Sequence, residues 1–94
     1  MSTNIAVKPI ADALARLMTA RVQSEADLQA WYAAAQEFRD LVATQPIEVQ
    51  RLVPHSVEHY LADADIRLRD PEYADAQQRE MARVVELLSQ AGVP

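Results

Sequence analysis

SEADLQAWYAAAQEFRDLVATQP, residues 24–46, carries the start, the face and the stop of one helix. Ser24 is placed as an N-cap, with Asp27 three residues on as a capping-box partner, Asp standing in place of Glu or Gln. Leu28, Trp31, Tyr32, Ala35, Phe38 and Val42 then recur at helical spacing and make a broad apolar face, opposite Gln29, Glu37 and Asp40. Three of the five aromatic residues lie on this face, which marks it as the centre of the core. The Thr44-Gln45-Pro46 segment stops the helix and opens the next.

Outward from this helix the same signals repeat. A first helix is expected from Pro9 to about Val22, with Ile10, Leu14, Leu17 and Met18 on one stripe and residues 1–8 as a flexible leading segment. After Pro46, the run IEVQRLV predicts a short helix over 46–53. Pro54 disfavours helical geometry at Val53, so a separate helix is expected over 54–69, with Val57, Tyr60, Leu61, Ala64 and Leu68 inward. Asp70-Pro71-Glu72 is a start signal, with Asp70 as cap and Pro71 in the first turn. The last helix is expected to reach Gln90 or Ala91 on a stripe through Tyr73, Gln77, Met81, Val84 and Leu88, and to stop at Gly92. Gly92 is the only glycine, which disfavours a turn-rich sheet protein. These elements predict an all-α single domain over residues 1–94, an antiparallel bundle of four main helices plus one short helix.

Composition excludes several function classes. The 94-residue chain has no cysteine, so it has neither disulfides nor thiolate metal ligands. Its net charge of −5, with arginines scattered among acids, disfavours nucleic acid and anionic membranes. No apolar run reaches the roughly 20 residues of a membrane span. The first residues show no secretory pattern, and a cytoplasmic location is expected.

The stretch HSVEH, residues 55–59, has ligand spacing: His55 and His59 fall one helical turn apart, with Glu58 beside them as a base for metal-bound water. Over these five residues it resembles the inverzincin metalloprotease motif, which implies a metal-dependent hydrolase using His55, Glu58 and His59. That family is far larger and takes a third, glutamate ligand from well downstream, for which this chain leaves too little sequence.

A different reading of the same helix rests on its faces. His55, His59, Ala62 and Ile66 share a side nearly opposite the inward stripe, and Ile66 gains from being covered. These four residues are the expected contact surface for another protein or for a second copy of the chain. A third reading takes residues 47–69 as a helix-turn-helix with Arg67 and Arg69 toward DNA, opposed by Glu58, Asp63 and Asp65. No cofactor is expected and no catalytic set is readable, so the expected role is a non-catalytic protein-interaction or accessory module.

Overall fold

The computed structural model describes residues 3–91, and every regular element among them is an α-helix. In chain order these are α1 (Thr3–Met18), α2 (Glu25–Ala43), α3 (Ile47–Gln50), α4 (His55–Ala62), α5 (Ala64–Arg69) and α6 (Pro71–Ala91). The all-α class is as expected, but four main helices and one short helix become three long and three short.

α2 forms as its sequence dictates. The Asp27 N–H donates to Ser24 Oγ at 3.2 Å, and the Gln23 N–H donates to Asp27 Oδ2 at 3.0 Å. The box therefore closes on Gln23, one residue before the cap. Leu28, Trp31, Ala35 and Phe38 are buried, while Tyr32 and Val42 are half-buried. α6 also starts where expected: Asp70 Oδ1 accepts the Tyr73 N–H at 3.1 Å, and Pro71 opens the helix. Its Met81, Val84 and Leu88 are buried. The stop expected at Gly92 lies outside the described residues.

α1 begins at Thr3, six residues before the expected start, and holds Pro9 in its interior. An interior proline removes one helical hydrogen bond and crowds the preceding turn, at a cost of about 3 kcal/mol. The stripe explains why the helix persists. Val7, Ile10, Ala11 and Leu14 are all buried at i, i+3, i+4 and i+7, so the apolar face extends back past the proline. Among the described residues, α1 packs along α6 over the most extensive helix–helix contact. α1 ends at Met18 instead of Val22, with Thr19 and Ala20 folding back onto the Arg16 and Leu17 carbonyls. Gln78 on α6 donates to the Met18 carbonyl at 3.0 Å.

The connection from α2 to α4 is tied down locally. Gln50 Nε2 donates to the Gln45 carbonyl at 2.8 Å and reaches the Ala43 carbonyl at 3.4 Å. Pro46 and Pro54 sit at the N-cap position, one residue earlier than expected, with extended ψ angles of 153° and 154°. The helix expected from 46 to 53 is one turn, Ile47–Gln50, which buries Val49.

The larger correction falls at Asp63. The single helix expected over 54–69 is broken there, at φ −99° and ψ 19°, into α4 and α5. The break frees the Tyr60 and Leu61 carbonyls from their helical partners. Trp31 Nε1 takes the Leu61 carbonyl at 3.0 Å, and Arg67 Nη1 takes the Tyr60 carbonyl at 2.6 Å. Buried backbone acceptors are costly when unpaired, so these two side chains make the break tenable. Ala64 is buried behind it, whereas Leu68 is only half-buried.

Candidate functional site

Two polar clusters stand out, and α4 contributes to both. The first surrounds the break. The Arg67 guanidinium lies 4.0 Å from the Tyr60 ring centroid and 4.9 Å from that of Trp31, and those two rings meet edge to face at 5.3 Å. Besides the Tyr60 carbonyl, Arg67 Nη1 donates to Gln77 Oε1 at 2.6 Å. Asp63 Oδ2 accepts the Tyr73 hydroxyl at 2.6 Å and Gln77 Nε2 at 3.2 Å. The Tyr60 hydroxyl donates to Gln78 Oε1 at 3.3 Å.

Electrostatics follow from this packing. Burial lifts the Tyr60 phenol above its usual pKa, with the Arg67 charge pulling the other way. The hydrogen bond to Asp63 lifts that of Tyr73. Burial lowers Arg67, opposed by Tyr60, Asp63, Tyr73 and Tyr32. Arg67 Nη1, Asp63 Oδ2, the Gln77 amide and the hydroxyls of Tyr60 and Tyr73 each meet another protein group. These contacts fasten α2, α4, α5 and α6 to one another around the break.

The second cluster surrounds a cleft of about 340 Å³ between the end of α2 and the start of α4. Phe38, Val42, Val53, Pro54, Val57 and Leu61 form its apolar walls, and Arg39, Gln50, His55 and Glu58 supply its polar groups. α2 positions Phe38, Arg39 and Val42 on one side by its i, i+1, i+4 spacing. Pro54 turns the chain so that His55 and Glu58 open α4 on the other. Arg39 grips Glu58 from both ends of the carboxylate: Nε lies 3.0 and 3.2 Å from its two oxygens, and Nη2 lies 3.0 Å from Oε1. Arg39 is half-buried and Glu58 exposed, so the pair holds geometry more than it adds stability.

The residues of the HSVEH stretch separate in role. His55 and His59 are exposed, with ring centroids 5.0 Å apart and planes at 85°. Glu58 faces Arg39, which takes up the carboxylate that the hydrolase reading assigns as base. Among the described residues no group of three or more His, Asp or Glu side chains is placed to hold one metal ion. Ala62 is exposed on α4, and Ile66 is 40 % exposed on α5. The Asp63 break lies between them, so the four expected contact residues are exposed but do not form one continuous helix face. Arg67, assigned to DNA in the third reading, is committed to the Tyr60 carbonyl and Gln77. Arg69 remains exposed and pairs with Asp65 at 3.7 Å.

Arg39, Gln50 and the cleft between α2 and α4 do not follow from the sequence alone. Arg39 and Glu58 stand 19 residues apart on different helices. The one available signal was Phe38 and Val42 on the apolar face of α2, which reads equally as core. Among the described residues no helix is long and apolar enough to cross a membrane. Comparison with known proteins finds no family model, no curated protein and no solved structure that matches this chain.

Proposed function

We propose that this chain is a non-catalytic protein-binding module whose cleft receives an apolar side chain from a partner protein of net positive charge. The observation that carries this reading is the cleft itself: an open apolar hollow of about 340 Å³ with a half-buried arginine and three other polar groups among its lining residues. An apolar pocket with a few fixed polar groups is the usual form of a recognition site. Rigid edges favour it, since Arg39–Glu58 and Gln50 are already held before any partner arrives.

Two further features support the reading. Ile47 and Leu52, on either side of the cleft-lining Gln50 in sequence, are 54 % and 46 % exposed. Covering them stabilises a complex by roughly 25 cal/mol per Å² of apolar surface removed from water. The net charge of −5 draws a cationic partner over long range and disfavours an acidic one. The exposed His55, His59, Ala62 and Ile66 extend the contact from the start of α4 toward α5, and the same surface would serve in self-association.

A photo-crosslinking residue placed at Ala43, which lines the cleft, tests the reading in the native host. The same residue at Ala76, exposed on α6, is the control. A discrete heterologous adduct from position 43 alone supports the reading. No adduct, or equal adducts from both positions, refutes it. An adduct of twice the chain's mass assigns the surface to a second copy instead, and an Ile66→Asp variant examined by light scattering then reports whether α5 takes part.

A further inference from the structure

His55 and His59 are the two imidazoles of the chain, and the fold brings them together at the surface. They lie at i and i+4 on α4, one turn apart on the same side of the helix. Their separation can be compared with what a shared metal ion requires. A metal–nitrogen bond is about 2.0–2.1 Å, and the ring centre lies about 1.1 Å behind the ligating nitrogen, which puts each centroid about 3.2 Å from the ion. Two centroids 5.0 Å apart then subtend an angle of about 100° at the ion. That value lies between the cis angle of a square-planar site and the angle of a tetrahedral one. The rings stand edge to face with planes at 85°, so the spacing suits bidentate ligation once one exposed ring turns about its side-chain torsions to aim its nitrogen at the shared ion.

We infer that His55 and His59 form a two-imidazole site for a divalent first-row transition ion, with water completing its coordination shell. The ligand set fixes the order of preference. Neutral imidazoles suit copper, nickel and zinc, and among divalent ions of the first row Cu²⁺ is held most tightly. Hard ions such as Mg²⁺ and Ca²⁺ prefer oxygen ligands and are not retained. Glu58 lies between the two histidines in sequence, but Arg39 holds both of its oxygens. The site is therefore bis-histidine and does not need Glu58. It is independent of the cleft reading, although His55 also borders the cleft.

Untagged full-length protein titrated with Cu²⁺ against a competing chelator tests the inference. One equivalent should bind, and His55→Ala or His59→Ala should each weaken it by about tenfold or more, because each removes the chelate gain of the second ring. Glu58→Gln and the cleft-filling Val42→Phe should leave the affinity unchanged. Cu²⁺ should broaden amide resonances of α4 in the wild-type protein, a readout that requires no variant to fold. Equal affinities for wild type and both histidine variants, a loss of binding in Glu58→Gln, or broadening centred away from α4 would each overturn the assignment.

Discussion

Arg67 and Arg39 are both half-buried arginines that reach α4 from another helix, yet the structure uses them in opposite ways. Arg67 lies against two aromatic rings and donates inward to a carbonyl and an amide oxygen. Arg39 holds an exposed carboxylate at the edge of an open cleft. The difference locates two kinds of free energy. Around Arg67, hydrogen bonds and ring contacts between four helices stabilise the fold. Around the cleft, apolar walls stay open beside the Arg39–Glu58 pair, and this is where the proposed partner would dock.

Removing the charge at each arginine gives the sharpest contrast. Arg67→Met leaves the Tyr60 carbonyl without its donor and is expected to cost about 2–3 kcal/mol in urea unfolding. For a chain of this size that lowers the melting temperature by roughly 10–20 °C. A cost below about 1 kcal/mol would mean that water replaces the guanidinium and that the break at Asp63 has another support.

An intermediate effect is expected in alkali. A phenol whose pKa is raised by folding keeps its proton after the unfolded chain begins to lose its own. The native state then binds more protons, so stability is full below about pH 10 and falls as pH rises above it. Tyr60 and Tyr73 are both shifted upward and act in this sense. Arg67, shifted downward, acts in the opposite sense at the upper end of the alkaline range. Unfolding midpoints measured from pH 9 to 11 should fall for the wild type, and less steeply for Tyr60→Phe. Identical slopes would place the Tyr60 hydroxyl in solvent.

The smallest change in stability is expected at the cleft. Arg39→Ala removes an exposed ion pair worth about 0–1 kcal/mol, so its unfolding midpoint should stay close to that of the wild type. A cost comparable to that of Arg67→Met would erase the distinction between the two regions and make the cleft part of the structural framework.

The parts of this molecule that were legible in the sequence are those encoded locally. Ser24 with Asp27, and Asp70 with Pro71, mark helix starts within a few residues of themselves. The buried stripes of α2 and α6 follow from spacing alone. Pro9 signals a helix start, but the buried stripe overrides it, since Val7 continues that stripe one turn before Ile10. The break at Asp63 had no local mark, since the segment DADIRLR contains neither glycine nor proline. It depends on Trp31, 30 residues before the Leu61 carbonyl it binds, and on Arg67 reaching back seven residues to the Tyr60 carbonyl. The candidate site was half legible for the same reason. Exposed histidines one turn apart can be read from HSVEH, whereas a cleft made by packing α2 against α4 cannot.

The most direct measurement pairs stability with crosslinking in a Val42→Phe variant, which narrows the cleft without touching the Arg67 cluster. Unfolding free energy within about 1 kcal/mol of the wild type, together with loss of the adduct from position 43, is the predicted result. A full-strength adduct from a folded Val42→Phe protein would contradict the assignment of the cleft as the binding surface.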